Sequence, residues 1–155
     1  MDKLSIGGRA LGPGERVFII AEAGINHDGD IGRAHQLVDA AADAGADGVK
    51  FQTHLAEAEM LNVSDTAVYL NESLFSLIKR MELTPAQHVA LKEHAERRGL
   101  VFLSTPFSRE AVDLLEKVGV SAYKIGSGEL TNLPLLDHVA RCGKPMLLST
   151  GMSDL

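Results

Sequence analysis

The sequence has no tryptophan, a single cysteine, only 5% aromatic residues, and no surplus of positive charge over its 155 residues. One cysteine, Cys142, cannot close an intrachain disulfide or supply a thiolate metal cluster, so a reducing, cytoplasmic setting is expected. No uninterrupted apolar run approaches the ~18 to 20 residues that a bilayer span needs. The start, Met1-Asp2-Lys3-Leu4, shows no charged segment leading into an apolar one. Neither membrane residence nor export is expected. Fifteen Lys and Arg stand against 21 Asp and Glu, for a net charge of −6. The basic residues are dispersed rather than striped, so the electrostatic footprint of a nucleic-acid binder is missing. A small-molecule partner is the expectation that remains.

Against these absences stands a rhythm. Four times a stretch of helical spacing ends near a glycine and gives way to a short aliphatic or β-branched run, the alternation of helix and parallel strand. The predicted strands are Val17-Phe18-Ile19-Ile20-Ala21, Gly48-Val49-Lys50-Phe51-Gln52, Leu100-Val101-Phe102-Leu103-Ser104, Ala122-Tyr123-Lys124-Ile125 and Pro145-Met146-Leu147-Leu148-Ser149. Between the first two, Ala34, Leu37, Val38, Ala41 and Ala42 repeat at helical spacing and Gly45 follows as a left-handed C-cap. Thr84-Pro85-Ala86-Gln87 combines a hydroxyl cap, a proline at the first helical position and a Gln at the third, which starts a helix running to Gly99. Ser108 caps another that ends before Gly119, and Leu133 to Arg141 forms a last short one. Residues 54–80 break the period as a long excursion at a strand's carboxyl end, where loops carry function.

This α/β pattern closes either as an open doubly wound sheet or as a (β/α) TIM-type barrel. No G-x-G-x-x-G follows the first strand, since Glu22-Ala23-Gly24-Ile25-Asn26-His27 stands there, which disfavours a dinucleotide-binding sheet. The barrel is preferred. A full eight-stranded barrel takes roughly 250 residues, so the expectation is a barrel truncated after about five strands, with residues 1–155 its amino-terminal portion.

In such a barrel the carboxyl ends of the strands gather the active site, and every predicted end is polar. Glu22 and Asn26 follow the first strand, and Lys50 and Gln52 lie on the second. Ser104 and Thr105 end the third, Lys124, Ser127 and Glu129 follow along the fourth, and Ser149 and Thr150 close the fifth. An unpaired polar group in a core costs a few kcal/mol, so five polar ends point to a ligand. Lys50 and Lys124 are candidates to neutralise an anion, with Ser127, Ser149 and nearby N–H groups donating to phosphate oxygens. Gly126-Ser127-Gly128 lets the main chain approach that anion, or is a plain turn. The alternative, less favoured, is that the two lysines are structural cations paired with Glu22 or Glu129.

Five ordered motifs carry a resemblance: Ile20-Ala21-Glu22-Ala23-Gly24-Ile25-Asn26-His27, Val49-Lys50-Phe51-Gln52-Thr53, Leu103-Ser104-Thr105-Pro106-Phe107, Tyr123-Lys124-Ile125-Gly126-Ser127-Gly128-Glu129 and Leu148-Ser149-Thr150-Gly151-Met152. With Asn71-Glu72-Ser73 in the excursion, they resemble the amino-terminal part of the sialic acid synthase family, the N-acetylneuraminate synthases. The resemblance implies a barrel that condenses phosphoenolpyruvate with an N-acetylated aminosugar, usually N-acetylmannosamine, to a nine-carbon sugar acid and phosphate. Pseudaminic and legionaminic acid synthases are similar at the anion end and differ in the sugar. The resemblance puts Lys50, Thr105, Lys124, Ser127 and Ser149 around phosphoenolpyruvate and Gln52, Asn71, Phe107 and Glu129 near the sugar. It makes Glu22 an acid–base candidate and Lys124 its catalytic companion. It also implies a divalent manganese or magnesium ion on two histidines of later strands, a carboxyl-terminal antifreeze-like domain and a homodimer. None of those later elements lies in these residues, so the chain alone is expected to be inactive. A noncatalytic phosphate-ligand binding fragment, or a half-barrel needing a partner chain, is the reading from another class.

Other chemistry-bearing residues have plainer readings. Asp28 or Asp30 caps the first helix, with His27 a loop residue near the substrate rather than a metal ligand. His35, His88, His94 and His138 fall on helices at no ligand spacing. Cys142 has no base beside it and reads as an inert thiol.

Overall fold

In the computed structural model, residues 4–63 and 72–154 are described. Five parallel strands form one sheet: β3 (Ile20–Gly24), β4 (Gly48–Thr53), β5 (Val101–Pro106), β6 (Tyr123–Ile125) and β7 (Met146–Leu148), hydrogen-bonded in that order. Strict succession matters. A doubly wound sheet reverses its strand order at a switch point, and none occurs here, so the connectivity is that of a barrel wall.

Helix α1 (Ile31–Asp43) crosses from β3 to β4, α4 (Pro85–Arg97) leads into β5, α5 (Arg109–Val118) into β6 and α6 (Leu133–Arg141) into β7. Their ends follow the capping chemistry of the sequence. Asp30 accepts from the N–H groups of Gly32 and Arg33, Thr84 and Gln87 form a reciprocal capping box ahead of Pro85, and Ser108 accepts from Ala111. Gly119 ends α5 in the left-handed conformation, at φ +80°. The 54–80 excursion includes α2 (Ala56–Glu59) and α3 (Leu74–Met81).

The period of two along each strand divides the residues between two faces. Ala23, Val49, Phe51, Phe102, Tyr123 and Ile125 join the helices in the main core. On the opposite, concave face Leu103 and Ala122 pack with Ile20, Val101 and Leu147 in a second apolar layer. That layer is closed by an element the sequence reading did not include. A hairpin of β1 (Leu4–Ile6) and β2 (Arg9–Leu11) inserts Ile6, wholly buried, against Leu103 and Ala122. Its two-residue turn, Gly7-Gly8, has φ of +57° and +80°, as a twist-matched hairpin requires. A Cβ on Gly7 would lie 2.6 Å from a Val101 methyl.

The first parallel strand also begins later than its apolar run suggests. Residues 17–19 precede it, and Val17 and Ile19 remain largely exposed. Their position is set by Asp47, a buried residue just ahead of β4. Its carboxylate accepts from the Ile19 N–H at 2.8 Å and pairs with Arg9 of the hairpin and Arg16 of the approach. The Ile19 carbonyl accepts from both the Asp47 and the Gly48 N–H, at the very start of β4.

A second polar knot lies between sheet and helix. Thr53 and Ser104 hydroxyls meet at 2.7 Å, Thr53 Oγ1 reaches His88 Nε2 at 3.1 Å, and His88 Nδ1 donates to the Thr84 carbonyl. All three side chains are buried. Thr53→Val leaves His88 and Ser104 short of a partner and should destabilise the chain by about 1–3 kcal/mol in chemical denaturation. The Asp47 carboxyl is held below the ordinary aspartate value by the Ile19 N–H, then by Arg16 and Arg9. Its contribution is therefore complete above the unfolded aspartate range and lost as pH falls through the depressed value. Asp47→Asn should melt earlier at neutral pH and lose that part of the acid-induced fall, as followed by circular dichroism.

Candidate active site

Above the apolar layer of the concave face, the next inward-facing residues are polar. Glu22 pairs across strands with Lys50, and Gln52 with Thr105. One step beyond the Ser104–Tyr123 pairing, Lys124 follows beside Thr105. A register shift between Glu22 and Gly24 marks a bulge directly after Glu22, a device that re-aims a side chain at a strand end.

These positions bring two amines and one carboxylate together. Lys50, 8% exposed, forms an ion pair with the half-exposed Glu22. Lys124 is partly buried, and its ammonium donates to the Ile125 carbonyl at 2.6 Å. Its pKa is lowered by burial and by the charge of Lys50, against an opposing pull from Glu22. Among the described residues Lys124 has no carboxylate in ion-pair contact. The Ile125 carbonyl also accepts the Ser149 N–H at 3.1 Å. Ser127, in a 3-10 turn over Ser127–Glu129, sets its hydroxyl 3.7 Å from the Met152 sulfur, and a Cβ on Gly151 would meet Ser127 at 3.5 Å. The turns after β6 and β7 thus touch beside Lys124. Thr105 is buried within van der Waals reach of a Cβ on Gly126, whereas a Cβ on Gly128 would meet nothing within 4 Å. Neither Gly126 nor Gly128 has a positive φ, so the main chain there needs no glycine for its conformation. Lys50 takes Glu22 as partner, but Glu129 does not take Lys124: it accepts from Asn132 at 2.7 Å.

A second group of nominated residues lies to one side. A pocket of about 320 Å³ is lined by His54, Glu59, Met60, Leu74, Ile78, Phe107, Glu129 and Asn132. Phe107 stacks on His54, with ring centroids 4.2 Å apart and planes at 12°. His54 Nε2 reaches the Gln52 side chain at 3.0 Å, and its Nδ1 reaches both Glu59 oxygens at 2.9 and 3.1 Å. Gln52 therefore links the lysine face to this pocket. Another concavity, of about 370 Å³, lies outside the barrel wall between α4 and α5 and includes none of the nominated residues. Asn71 lies outside the described residues.

His54, Glu59 and Asn132 were absent from the sequence-based site. The signal for His54 was the inward alternation of Lys50 and Gln52, continued by one more step. His27 also needs correction. It lies in the turn after β3, as a loop residue should, but is wholly buried: its Nδ1 accepts the Gly29 N–H and its ring packs against Phe51. Burial lowers its pKa, followed by the influence of His88. His94 and His138 pair with Asp39 and Asp113 on the helical exterior. Cys142 is partly buried, with its sulfur against the His138 carbonyl.

A family model described as the NeuB family matches residues 37–155. The chain belongs to the NeuB family. It is 43% identical, over 91% of its length, to an N,N'-diacetyllegionaminic acid synthase of Campylobacter jejuni, and 31% identical, over 96%, to the human N-acetylneuraminate-9-phosphate synthase. Among solved structures, an N-acetylneuraminic acid synthetase of Leptospira borgpetersenii superposes over 99% of the chain with a TM-score of 0.86 at 33% identity. The chain spans 44% and 43% of those two curated relatives and 51% of the solved one. The relatives of this NeuB-family chain are thus sugar-acid synthases, and its parallel sheet is part of their barrel.

The coupling of the two amines is directly measurable. In a lysine side-chain NMR titration, Lys124 should lose its proton below the ordinary lysine value of 10.5. Lys50→Met removes the like charge, so the Lys124 titration should move upward toward that value. Glu22→Gln removes the opposing carboxylate and should move it further down.

Proposed function

We propose that this chain supplies the amino-terminal part of a barrel that condenses phosphoenolpyruvate with an acetamido sugar, forming a nine-carbon 2-keto sugar acid and phosphate. The observation that carries the reading is the concave face itself: two ammonium groups, of which Lys50 alone is in ion-pair contact with a carboxylate among the described residues. Such a face has unbalanced positive charge for a phosphate-plus-carboxylate ligand. Lys50 and Lys124 hold the anion, with Thr105, Ser127 and Ser149 donating around it. Gln52, Phe107, Glu129 and Asn71 meet the sugar.

In the reaction, the π pair of phosphoenolpyruvate forms a bond from its methylene carbon to the open-chain aldehyde carbon, while the aldehyde C=O π pair moves to oxygen, which takes up a proton and becomes the new hydroxyl. Water adds to the cationic carbon that results and gives up a proton, and the tetrahedral intermediate expels phosphate by C–O cleavage. Glu22, fixed by Lys50 and half open to solvent, is the acid–base candidate. Lys124 stabilises negative charge on the phosphate as it leaves. The family resemblance implies a manganese or magnesium ion. Among the described residues no three His, Cys, Asp or Glu side chains converge, so no ligand to it is assigned from this chain. The remaining strands, an antifreeze-like domain and a homodimeric, cytoplasmic assembly complete the proposal.

For the acceptor, N-acetylmannosamine is the first choice. A second reading, a diacetamido sugar, draws support from the apolar side of the pocket, where Met60, Leu74, Ile78 and Phe107 could receive an additional acetyl methyl. The higher identity to the relative named for diacetyllegionaminic acid points the same way.

Isothermal titration tests the anion site on the chain itself. Phosphoenolpyruvate should bind, with affinity falling as salt rises, and Lys124→Ala should weaken it at least about tenfold. Binding that is absent, or indifferent to Lys124, overturns the reading. The chain alone, given phosphoenolpyruvate and N-acetylmannosamine, should release no phosphate.

A further inference from the structure

The Gln52–His54–Glu59 contact is more elaborate than packing requires. His54 is 8% exposed and Glu59 6%, so a carboxylate has been taken out of water to stand edge-on to one imidazole. A carboxylate only accepts, and both of its oxygens lie on Nδ1, so Nδ1 carries a proton. The opposite edge, Nε2, lies 3.0 Å from the Gln52 side-chain oxygen, which also only accepts, so that bond runs from the ring to Gln52. One face of the ring is covered by Phe107, nearly parallel at 4.2 Å. Two edges and a face are thereby fixed, and the ring cannot turn without breaking one of three contacts.

Each partner comes from a different element. Glu59 ends α2, Gln52 lies on the concave face of β4 two residues beyond Lys50, and Phe107 follows β5. His27 lies close enough to sense the charge of His54, and Glu129 lines the same pocket. The ring touches both Gln52 and Phe107.

We propose that His54 is a positioning residue for the acceptor sugar: anchored by Glu59, it sets the Gln52 amide and the Phe107 ring in one mutual arrangement before the sugar arrives. This rests on the proposed function, in which Gln52 and Phe107 meet the acceptor while the lysines meet phosphoenolpyruvate. A free glutamine side chain samples several rotamers, and fixing it beforehand removes that cost from binding. The effect belongs to the sugar and not to the anion.

Three substitutions separate positioning from mere filling. An Asn side chain places its amide near the site of Nδ1, a Gln side chain near that of Nε2. His54→Gln can keep the bond to Gln52, whereas His54→Asn and His54→Ala cannot. Affinities of the chain for phosphoenolpyruvate, N-acetylmannosamine and a diacetamido hexose are measured by titration and ligand-observed NMR. His54→Ala and His54→Asn should weaken the preferred sugar about tenfold, the scale of one lost hydrogen bond plus lost order. His54→Gln should stay within about threefold of the parent, and phosphoenolpyruvate within about twofold throughout. The Gln52 side-chain NH₂ resonances, displaced in the parent by the ordered surroundings, should move toward the shifts of a free glutamine in His54→Ala, a readout that needs no ligand. Unchanged sugar affinity and an unchanged Gln52 signal in His54→Ala would overturn the positioning role alone. Parallel loss of sugar and phosphoenolpyruvate in all three variants would reduce His54 to packing. A parent chain that binds neither ligand would overturn the proposed function, and this inference with it.

Discussion

Like charges on one side of a sheet repel, and the concave face of this chain holds two of them where water is scarce. Lys50 is almost fully buried and Lys124 partly so, with a single carboxylate, Glu22, in ion-pair contact. Burial raises the penalty of each charge, and proximity adds repulsion. Glu22 offsets one amine, and a main-chain carbonyl can only partly satisfy the other. The arrangement carries net positive charge by construction, and it stands on an apolar floor. Leu103, Ala122, Ile20, Val101 and Leu147 pack below it, and Ile6 of the hairpin seals them. The hairpin, which bears no chemistry, keeps water from entering the lysine layer from beneath.

The same lysines make register critical. A slip by one residue in a strand sends its whole inward row to the other face, which would turn Lys50 into the helices and Phe51 onto the concave face. Several devices resist this. Asp47 fixes the approach to β3 against the start of β4. Thr53, Ser104 and His88 pin β4, β5 and α4 from the outer side. Tyr123 and Lys144 both meet Glu116, tying β6 and the approach to β7 onto α5. Each knot sits on the helix side or at a strand start, leaving the carboxyl ends free for ligand.

Much of this was legible because it is local. Period-two runs located all five parallel strands, and capping residues located α1, α4 and α5. The span Leu133–Arg141 matches α6 residue for residue. The failures share a cause in long-range contact. Val17-Phe18-Ile19 has the apolar character of a strand, but Asp47, thirty residues away, holds Ile19 ahead of β3. The hairpin had its signal, Gly7-Gly8 between two short apolar segments, yet segments of three residues carry little periodicity. In the candidate site, Lys50, Gln52, Thr105 and Lys124 stood out as polar residues at the ends of apolar strands, and the resemblance gave them their roles. His54 was missed because Thr53 seemed to end its strand, and Glu59 because nothing in Ala56-Glu57-Ala58-Glu59 says which carboxylate turns inward.

The two ends of the site are built from different material. Lys50, Thr105 and Lys124 lie on or directly beside sheet positions, where neighbouring strands fix the backbone and a change of ligand would demand a change of register. The pocket beside them depends on the excursion between β4 and α4, through Glu59, Met60, Leu74 and Ile78. Residues there are held by side-chain contacts and by two short helices, and they can be exchanged without disturbing the sheet. A lysine face of this kind is hard to alter, and the adjoining pocket is easy to reshape. His54 stands at the junction. Its backbone follows directly from the last residue of β4, while its partner Glu59 belongs to the excursion. A rearrangement of the excursion therefore reaches Gln52 through this one ring, and from Gln52 it is two residues along the same face to Lys50.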